Sequence, residues 1–252
     1  SITYDAEGNI ISETLPNGTR MAVEYDSDAR VILWANHRSN GDTISSFRYT
    51  YDTIGNRLVR IENDGARDDW AYNSRNDLIR EVRRSGNGDT IFALEYNYDS
   101  ASNRVFRRNL VTGDSVVLTY DADNRIISTS DETFTHSIDG NITSRFGPEG
   151  TTTYGWDIEN RMTSVTGPES GFAATFEYDG LGTRLARNLN GSRTEFLWSL
   201  PQNQVAEYNA AGDVIAKYFD SSRLARNYAR YSGGMSAYYH VDPLGSVTEI
   251  SD

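Results

Sequence analysis

Histidine and cysteine carry much of the nucleophilic, acid–base and soft-metal chemistry of proteins. This chain of 252 residues has three histidines and no cysteine. His37 and His136 have no partner at a spacing typical of a catalytic triad or a metal site. His240 lies two residues before Asp242, where ring packing is the favoured interpretation. The sequence therefore predicts no catalytic residue, no metal site and no cofactor, and it predicts that this chain is not an enzyme.

Two Asp-x-Asp motifs, Asp26-x-Asp28 and Asp121-x-Asp123, resemble the opening of a calcium loop. Neither continues with the Asp/Asn-Gly and the distant Glu that complete such a loop. Aspartate also caps turns by accepting hydrogen bonds from nearby backbone N–H groups, and this is the favoured interpretation. The recurrence of Asp and Arg in these stretches further predicts an ion pair across each turn. The candidate pairs are Asp52/Arg57, Asp99/Arg104, Asp121/Arg125 and Asp157/Arg161.

The tryptophans are the candidate ligand-contact side chains, because a large ring with one polar N–H can stack on a sugar as well as pack in a core. The four candidates are Trp34, Trp70, Trp156 and Trp198. Core packing is the alternative for each of them. If the rings lie on the surface, the chain could bind glycans.

The charge of the chain is −12 with a pI of about 4.7. This acidity argues against binding to nucleic acid or to an anionic membrane. No apolar run approaches the roughly 18 residues of a transmembrane helix, so no membrane insertion is expected. Lys217 is the single lysine, and the other basic residues are arginines, whose planar groups stack on aromatic rings.

A Tyr-Asp motif recurs along the chain, followed by a Gly- or Asn-containing turn sequence and then by an aliphatic residue. Leading positions 4, 25, 51, 72 and 98 are 21, 26, 21 and 26 residues apart, so two units form a super-repeat of 47 residues. The clearest leading residues are Tyr4, Tyr25, Tyr51, Tyr72, Tyr98, Tyr120 and Tyr178; further copies begin at His136, Trp156, Tyr208 and Tyr239. The pattern is regular over 1–120 and more divergent over 121–252. We interpret residues 1–252 as a single array.

Each unit has the pattern of a β-hairpin. Apolar residues alternate before the turn, as in Phe47, Tyr49 and Tyr51, and this period of two indicates a strand with one apolar face. Turns are expected at 26–30, 52–57 and 99–104, and again at Asn-Gly pairs on the return side such as Asn40-Gly41, Asn87-Gly88 and Asn190-Gly191. The predicted fold is all-β: tandem hairpins in a continuous winding sheet, which forms a β-solenoid, a partial shell or a barrel-like wall.

Two finer expectations concern particular residues. The super-repeat requires equivalent environments for Tyr51 and Tyr98, and both are expected to be buried. A helix, if the chain has one, is expected between Ser221 and Arg230.

The eleven copies of this motif resemble the YD repeats of bacterial Rhs and wall-associated proteins, of the B and C components of insecticidal toxin complexes, and of teneurins. The segment 238–247, Tyr-Tyr-His-Val-Asp-Pro-Leu-Gly-Ser-Val, is similar to the Tyr-Tyr-His-x-Asp-x-Leu-Gly-Ser core segment of Rhs proteins. The resemblance implies part of a longer bacterial protein, secreted or at the cell surface. In such proteins the repeats form a β-shell around a C-terminal toxin domain, which would be the partner of this chain.

In those relatives an aspartyl autoprotease releases the toxin after an Asp-Pro-x-Gly-Leu motif. Here Asp242-Pro243-Leu244-Gly245 is followed by Ser246 where Leu is required. The resemblance therefore implies the shell role without a catalytic residue, with protease and toxin beyond Asp252. Two alternatives stay open: an adhesive carbohydrate-binding module at the cell surface, and a scaffold that spaces other domains.

Overall fold

The computed structural model of the chain describes residues 1–168, 171–199, 203–221 and 226–251, and every helix or strand element in these ranges is a β-strand. The prediction of an all-β fold is therefore confirmed. The expectation of a helix between Ser221 and Arg230 is wrong where it can be checked, because Arg226–Ser232 is a strand; residues 222–225 lie outside the described ranges. No helix long and apolar enough to cross a membrane was found in the described part of the chain.

The strands pair in chain order, as consecutive hairpins require, and they form two sheets that separate at Leu118. The eleven-stranded sheet contains β1 (Ile2–Tyr4), β2 (Ile10–Thr14), β3 (Arg20–Tyr25), β4 (Val31–His37), β5 (Thr43–Tyr51), β6 (Arg57–Glu62), β7 (Arg67–Tyr72), β8 (Leu78–Arg84), β9 (Thr90–Tyr98), β10 (Arg104–Asn109) and β11 (Ser115–Val117).

The fourteen-stranded sheet follows in the same manner. It contains β12 (Thr119–Tyr120), β13 (Ile126–Ser128), β14 (Thr133–His136), β15 (Ile142–Gly147), β16 (Gly150–Trp156), β17 (Met162–Thr166), β18 (Ala173–Tyr178), β19 (Arg184–Leu189), β20 (Ser192–Ser199), β21 (Asn203–Asn209), β22 (Val214–Ser221), β23 (Arg226–Ser232), β24 (Met235–Val241) and β25 (Val247–Ser251).

The chain divides into two compact units. Unit 1 comprises residues 1–116 together with 238–252, and unit 2 comprises residues 117–237. The hairpin of β24 and β25, from Tyr238 onward, is thus part of the unit that begins at the other end of the sequence.

The core of unit 1 lies on one face of β3, β4 and β5. Alternation along β5 places Ser45, Phe47 and Tyr49 on the same buried face. The core cluster consists of Met21, Val23, Trp34, Phe47, Tyr49 and Val241. Val241 comes from the distant hairpin, so the core of unit 1 is completed by residues about 200 positions away in the sequence.

The buried apolar residues of unit 2 are small. Those in its described residues are Ala174, Ala186, Ala206, Ala216 and Ala229. Each lies in a strand between more exposed neighbours. Hydrophobic burial in this unit is therefore modest, and contacts between successive hairpins carry much of its order.

Candidate functional site

The aspartate of each Tyr-Asp motif holds the turn that follows it. In the turn 26–30, the Asp26 N–H donates to the Arg30 carbonyl at 2.9 Å, and the Ala29 N–H donates to the Asp26 carbonyl at 3.1 Å. Oδ1 of Asp26 accepts the N–H groups of Asp28 and Arg30, each at 3.0 Å. These bonds, led by that from the Arg30 backbone, hold the pKa of Asp26 below its usual value.

The same two backbone hydrogen bonds close fifteen turns in the described chain. Eleven of them belong to the repeated motif: 5–9, 26–30, 52–56, 73–77, 99–103, 121–125, 137–141, 157–161, 179–183, 209–213 and 242–246. Four lie on the return side of the hairpins: 15–19, 38–42, 62–66 and 85–89. The fourth residue of each has positive φ, from 58° at Ala29 to 94° at Gly55, as expected for a type I turn followed by a bulge. The predicted turns are confirmed, and those after Asp52 and Asp99 close one residue earlier than expected.

The turn 242–246 shows that the leading residue of the last repeat was predicted incorrectly. The strand residue immediately before Asp242 is Val241, so Val241 occupies the position that Tyr holds in other units, and the prediction that Tyr239 leads this repeat is wrong.

Six aromatic residues of the described chain, five of which lead a repeat, reach back to the preceding unit. The Tyr51 hydroxyl donates to the Val31 carbonyl at 2.6 Å, and the Tyr98 hydroxyl donates to the Leu78 carbonyl at 2.7 Å. Each acceptor is the first residue of a return strand. Equivalent bonds join Tyr25 to Ile10, Trp156 to Ile142, Tyr178 to Met162 and Trp198 to Arg184, at 2.8–2.9 Å. We call this bond the aromatic clip.

The burial of the leading tyrosines differs from the prediction. Tyr51 and Tyr98 make equivalent bonds, but both are half-buried. The buried rings are Tyr49 and Tyr96, two residues earlier, at 4% and 6% exposure. Tyr4 is more exposed than either leading residue, at 42%. The remaining leading residues Tyr25, Tyr72, Tyr120 and Tyr178 are half-buried.

An arginine makes a second link between units. Nε of Arg161 donates to Asp157 Oδ2 of its own turn at 2.7 Å, and Nη1 donates to the Asp179 carbonyl of the next turn at 3.0 Å. Its guanidinium also lies 5.1 Å from the centre of the Tyr178 ring. Arg30 repeats this arrangement with Asp26, the Asp52 carbonyl and the Tyr51 ring. We call this link the arginine clip.

The predicted Asp/Arg pairs are only partly correct. Asp121 and Asp157 pair with Arg125 and Arg161. At Asp52 and Asp99, however, the second carboxylate oxygen accepts the side-chain amide of Asn56 or Asn103. The arginines that follow these asparagines stack instead on buried rings: Arg57 lies 4.8 Å from the centre of Tyr49, and Arg104 lies 5.2 Å from that of Tyr96.

The carboxylates of the two Asp-x-Asp motifs are engaged by arginine. Arg30 contacts Asp26 at 2.7 Å and Asp28 at 3.2 Å, and Arg125 makes the equivalent contacts with Asp121 and Asp123 at 2.7 and 3.0 Å. Within the described ranges, no group of three or more His, Asp or Glu is placed to hold a metal ion. These side chains act as turn caps.

The four tryptophans lie on four different strands. Trp34 in β4 is buried in the core of unit 1, while Trp70, Trp156 and Trp198 are half-buried. Two strands separate β4 from β7, which carries Trp70, a distance of about 14 Å across the sheet. Three strands separate β16 from β20. Within each unit, the structure therefore does not bring its two tryptophan rings together into one aromatic surface.

Trp198 lines a cavity of about 240 Å³ together with Tyr178, Gly182, Thr183 and Arg184. A larger cavity, of about 540 Å³, lies in unit 1 between β5, β6 and the C-terminal hairpin. Its lining residues are Ile44, Ser45, Phe47, Arg60, Glu62, Asn63, Asp64, Asp242, Ser246, Thr248 and Glu249.

A network of charged side chains beside this larger cavity was missed in the sequence. Asp68, with 5% exposure, accepts hydrogen bonds from Arg60 at 2.9 Å and from Arg83 at 2.7 Å. Glu62 contacts the same two arginines, at 3.2 and 2.9 Å. The four residues come from β6, β7 and β8, so this network joins three neighbouring strands.

The histidines occupy structural positions. His240 has 4% exposure and lies 2.9 Å from the Ser251 hydroxyl through Nε2. His37 and His136 are half-buried in β4 and β14. The three rings lie on β24, β4 and β14 and are parts of separate hairpins.

The recurring Asp, Tyr and Arg side chains thus close turns and join one hairpin to the next. An arrangement of this kind defines a structural protein built from tandem β-hairpins, in which each unit stabilises its neighbours. Comparison with known proteins identifies the repeat.

Residues 139–171 match the RHS Repeat family. The tRNA3(Ser)-specific nuclease WapA of Bacillus spizizenii is 31% identical over 134 residues, which are 51% of this chain and 5% of that protein. The tRNA nuclease WapA of Bacillus subtilis is 28% identical over 131 residues, with the same coverage. The chain therefore spans about a twentieth of the length of these relatives.

Solved structures show a similar fold over nearly the whole chain. The Tc holotoxin pore of Photorhabdus luminescens matches 99% of this chain and 17% of that chain, with a TM-score of 0.54 and 14% identity. TcdB2-TccC3 without its hypervariable C-terminal region matches 98% of this chain and 17% of that chain, with a TM-score of 0.56 and 14% identity. Residues 139–171 thus match an RHS repeat, half of the chain is similar in sequence to the WapA proteins, and the described strands share the fold of the toxin-complex structures.

Proposed function

We propose that this chain is a wall segment of a longer Rhs-type bacterial protein, secreted or at the cell surface, that encloses or carries a C-terminal toxin domain. The aromatic clip is the observation that carries the proposal, because it recurs six times in the described chain and joins one hairpin to the preceding one at the same backbone position in both units. Repeated fixing of this kind produces a continuous surface rather than one pre-organised pocket. We also propose that residues 1–252 act as one array in that wall.

The relatives support the same proposal. The two WapA proteins are named as tRNA nucleases, and the part of them that matches this chain is 5% of their length. The solved neighbours are toxin-complex components, one of them named for a hypervariable C-terminal region. We infer that the array itself contributes no catalytic group, since its recurring Asp, Arg and Tyr side chains close turns and form clips.

Limited proteolysis of the parent polypeptide that contains this array tests the proposal. We expect the C-terminal domain of the intact protein to resist a protease that digests the same domain once it is separated. Tyr178→Ala removes an aromatic clip and should shorten the lifetime of the protected domain, whereas the exposed Tyr231→Ala should not. Equal digestion of the domain in its intact and separated forms would contradict the enclosing role.

Carbohydrate binding is the second candidate function, and the cavity beside Trp198 is the observation that favours it. The cavity combines the Trp198 and Tyr178 rings with the Arg184 guanidinium, so it offers ring faces and hydrogen-bond donors to a sugar. A glycan panel screened against the chain tests this function. Saturable binding that Trp198→Ala abolishes and Trp70→Ala preserves would favour an adhesive module over a wall; no binding in any variant would exclude this cavity as a glycan site.

A further inference from the structure

The terminal hairpin, residues 238–251, packs on β3–β5 of unit 1. The Val241 side chain enters the core beside Phe47 and Tyr49. The buried Asn36 side chain donates to the Val241 carbonyl at 3.1 Å and to the Ser45 hydroxyl at 3.0 Å, so one amide ties the hairpin to β4 and β5. This hairpin contains the segment 238–247, which is similar to the core segment of Rhs proteins. The proposed wall role does not require the hairpin to pack on β3–β5.

His240 lies inside this interface. Its Nε2 atom is 2.9 Å from the Ser251 hydroxyl, which also accepts the Asn17 side-chain amide at 3.4 Å. Thr248 donates to the His240 carbonyl at 3.1 Å. The ring therefore contacts β25 through Ser251, which is bonded in turn to Asn17 before β3, and His240 has 4% exposure.

The charged groups around the His240 ring have opposite effects on its protonation. Glu249 lies opposite His240 in the hairpin and favours the protonated ring, whereas Arg38, in the turn that follows β4, disfavours it. Asp242, two residues along, uses Oδ1 to accept the Leu244 and Ser246 N–H groups. Burial outweighs the attraction of Glu249, so the pKa of His240 lies below its usual 6.5.

The sign of the pH effect follows from this burial. A histidine that is harder to protonate when docked binds fewer protons in the docked state than in the released state. Docking is therefore strongest above pH 6.5 and weakens as the pH falls below it.

We propose that the terminal hairpin is an acid-released latch, docked on β3–β5 while His240 is neutral and freed when His240 takes up a proton. Release withdraws Val241 from the core and uncovers the faces of Phe47 and Tyr49. The latch goes beyond the wall role, because it adds a pH-dependent opening at the place where the two ends of the sequence meet in unit 1.

Thiol labelling of the 252-residue chain tests the latch. The protein has no cysteine, so Val241→Cys introduces one reporter that is covered when the hairpin is docked. Its labelling rate with a pyridyl disulfide, divided at each pH by the rate in denaturant, measures the released fraction. Between about pH 7.5 and about pH 5.0 we expect this ratio to rise by up to about thirtyfold, the limit for a group of pKa 6.5 protonated only when released.

Two sets of control variants show which part of the protein and which histidine cause the pH-dependent labelling. Ala186→Cys, at a position with 1% exposure in unit 2, reports general loosening, and its ratio should stay constant between the two pH values. In the Val241→Cys background, His240→Gln should abolish the rise, whereas His37→Gln and His136→Gln should preserve it. These two variants identify His240 by elimination even if His240→Gln disturbs docking.

A constant ratio at Val241→Cys would overturn the latch, and so would an equal rise at Ala186→Cys or loss of the response in His37→Gln or His136→Gln. None of these results bears on the wall role, which depends on protection of the C-terminal domain.

Discussion

Removal of one tyrosine hydroxyl tests the aromatic clip in isolation. Tyr98→Phe keeps the ring, its stacking surface and the strand, but deletes the 2.7 Å bond to the Leu78 carbonyl. A neutral hydrogen bond contributes roughly 0.5–1.5 kcal/mol net, so we expect a loss of about 1 kcal/mol in the free energy of unfolding. Tyr51→Phe deletes the equivalent 2.6 Å bond to Val31 and should cost a similar amount.

The double variant makes this prediction stricter. Four strand intervals separate β5 from β9, a distance of about 19 Å, which exceeds the range over which substitutions usually couple. The two losses should therefore add to about 2 kcal/mol in urea unfolding followed by circular dichroism. Tyr231→Phe, at an exposed tyrosine, is the matched control and should change stability by under about 0.5 kcal/mol. If Tyr51→Phe and Tyr98→Phe each lower the free energy of unfolding no more than Tyr231→Phe does, the aromatic clip does not stabilise the array.

Three further variants test other parts of the structure. Arg161→Lys cannot reproduce the fork that joins Asp157 to the next turn, so it should lower the midpoint of thermal unfolding, whereas the exposed Arg187→Lys should leave the midpoint unchanged. Ile158→Asp, at a turn position with 98% exposure, should stay within about 0.5 kcal/mol of the parent chain in the same assay; a larger loss would mean that the side chain is covered. Burial raises the pKa of Tyr49 to about 12, so the free energy of unfolding should fall as the pH rises from about 10 through 12. Tyrosinate absorbance follows the ionisation, and unfolding measurements on Tyr49→Phe should show a smaller fall in stability over the same pH range.

The local structure of the array could be predicted because its causes are local. The Tyr-Asp spacing and the Gly or Asn residues predict turns, and each turn depends on contacts within five residues, such as those of Asp26 with Arg30. Alternation predicts strands for the same reason. The choice between Tyr51 and Tyr49 as the buried ring could not be made in this way, since both lie on the same side of the period-two pattern and the bulge at Tyr51 decides which ring enters the core.

The long-range contacts had no such local cause. The packing of Val241 beside Phe47 and the bond from Asn36 to the Val241 carbonyl join residues about 200 positions apart. One sequence provides no period or spacing that relates them. The network around Asp68 was missed for a similar reason, because its arginines come from β6 and β8 on either side of β7 and are neighbours only after the strands have paired.

Electron cryo-microscopy of the parent polypeptide is the most direct test of the wall. We expect hairpins equivalent to these to form a continuous wall around density for the C-terminal domain, with the clips of Tyr178 and Arg161 between successive units. A C-terminal domain outside an open array, with every face of the hairpins exposed to solvent, would contradict it.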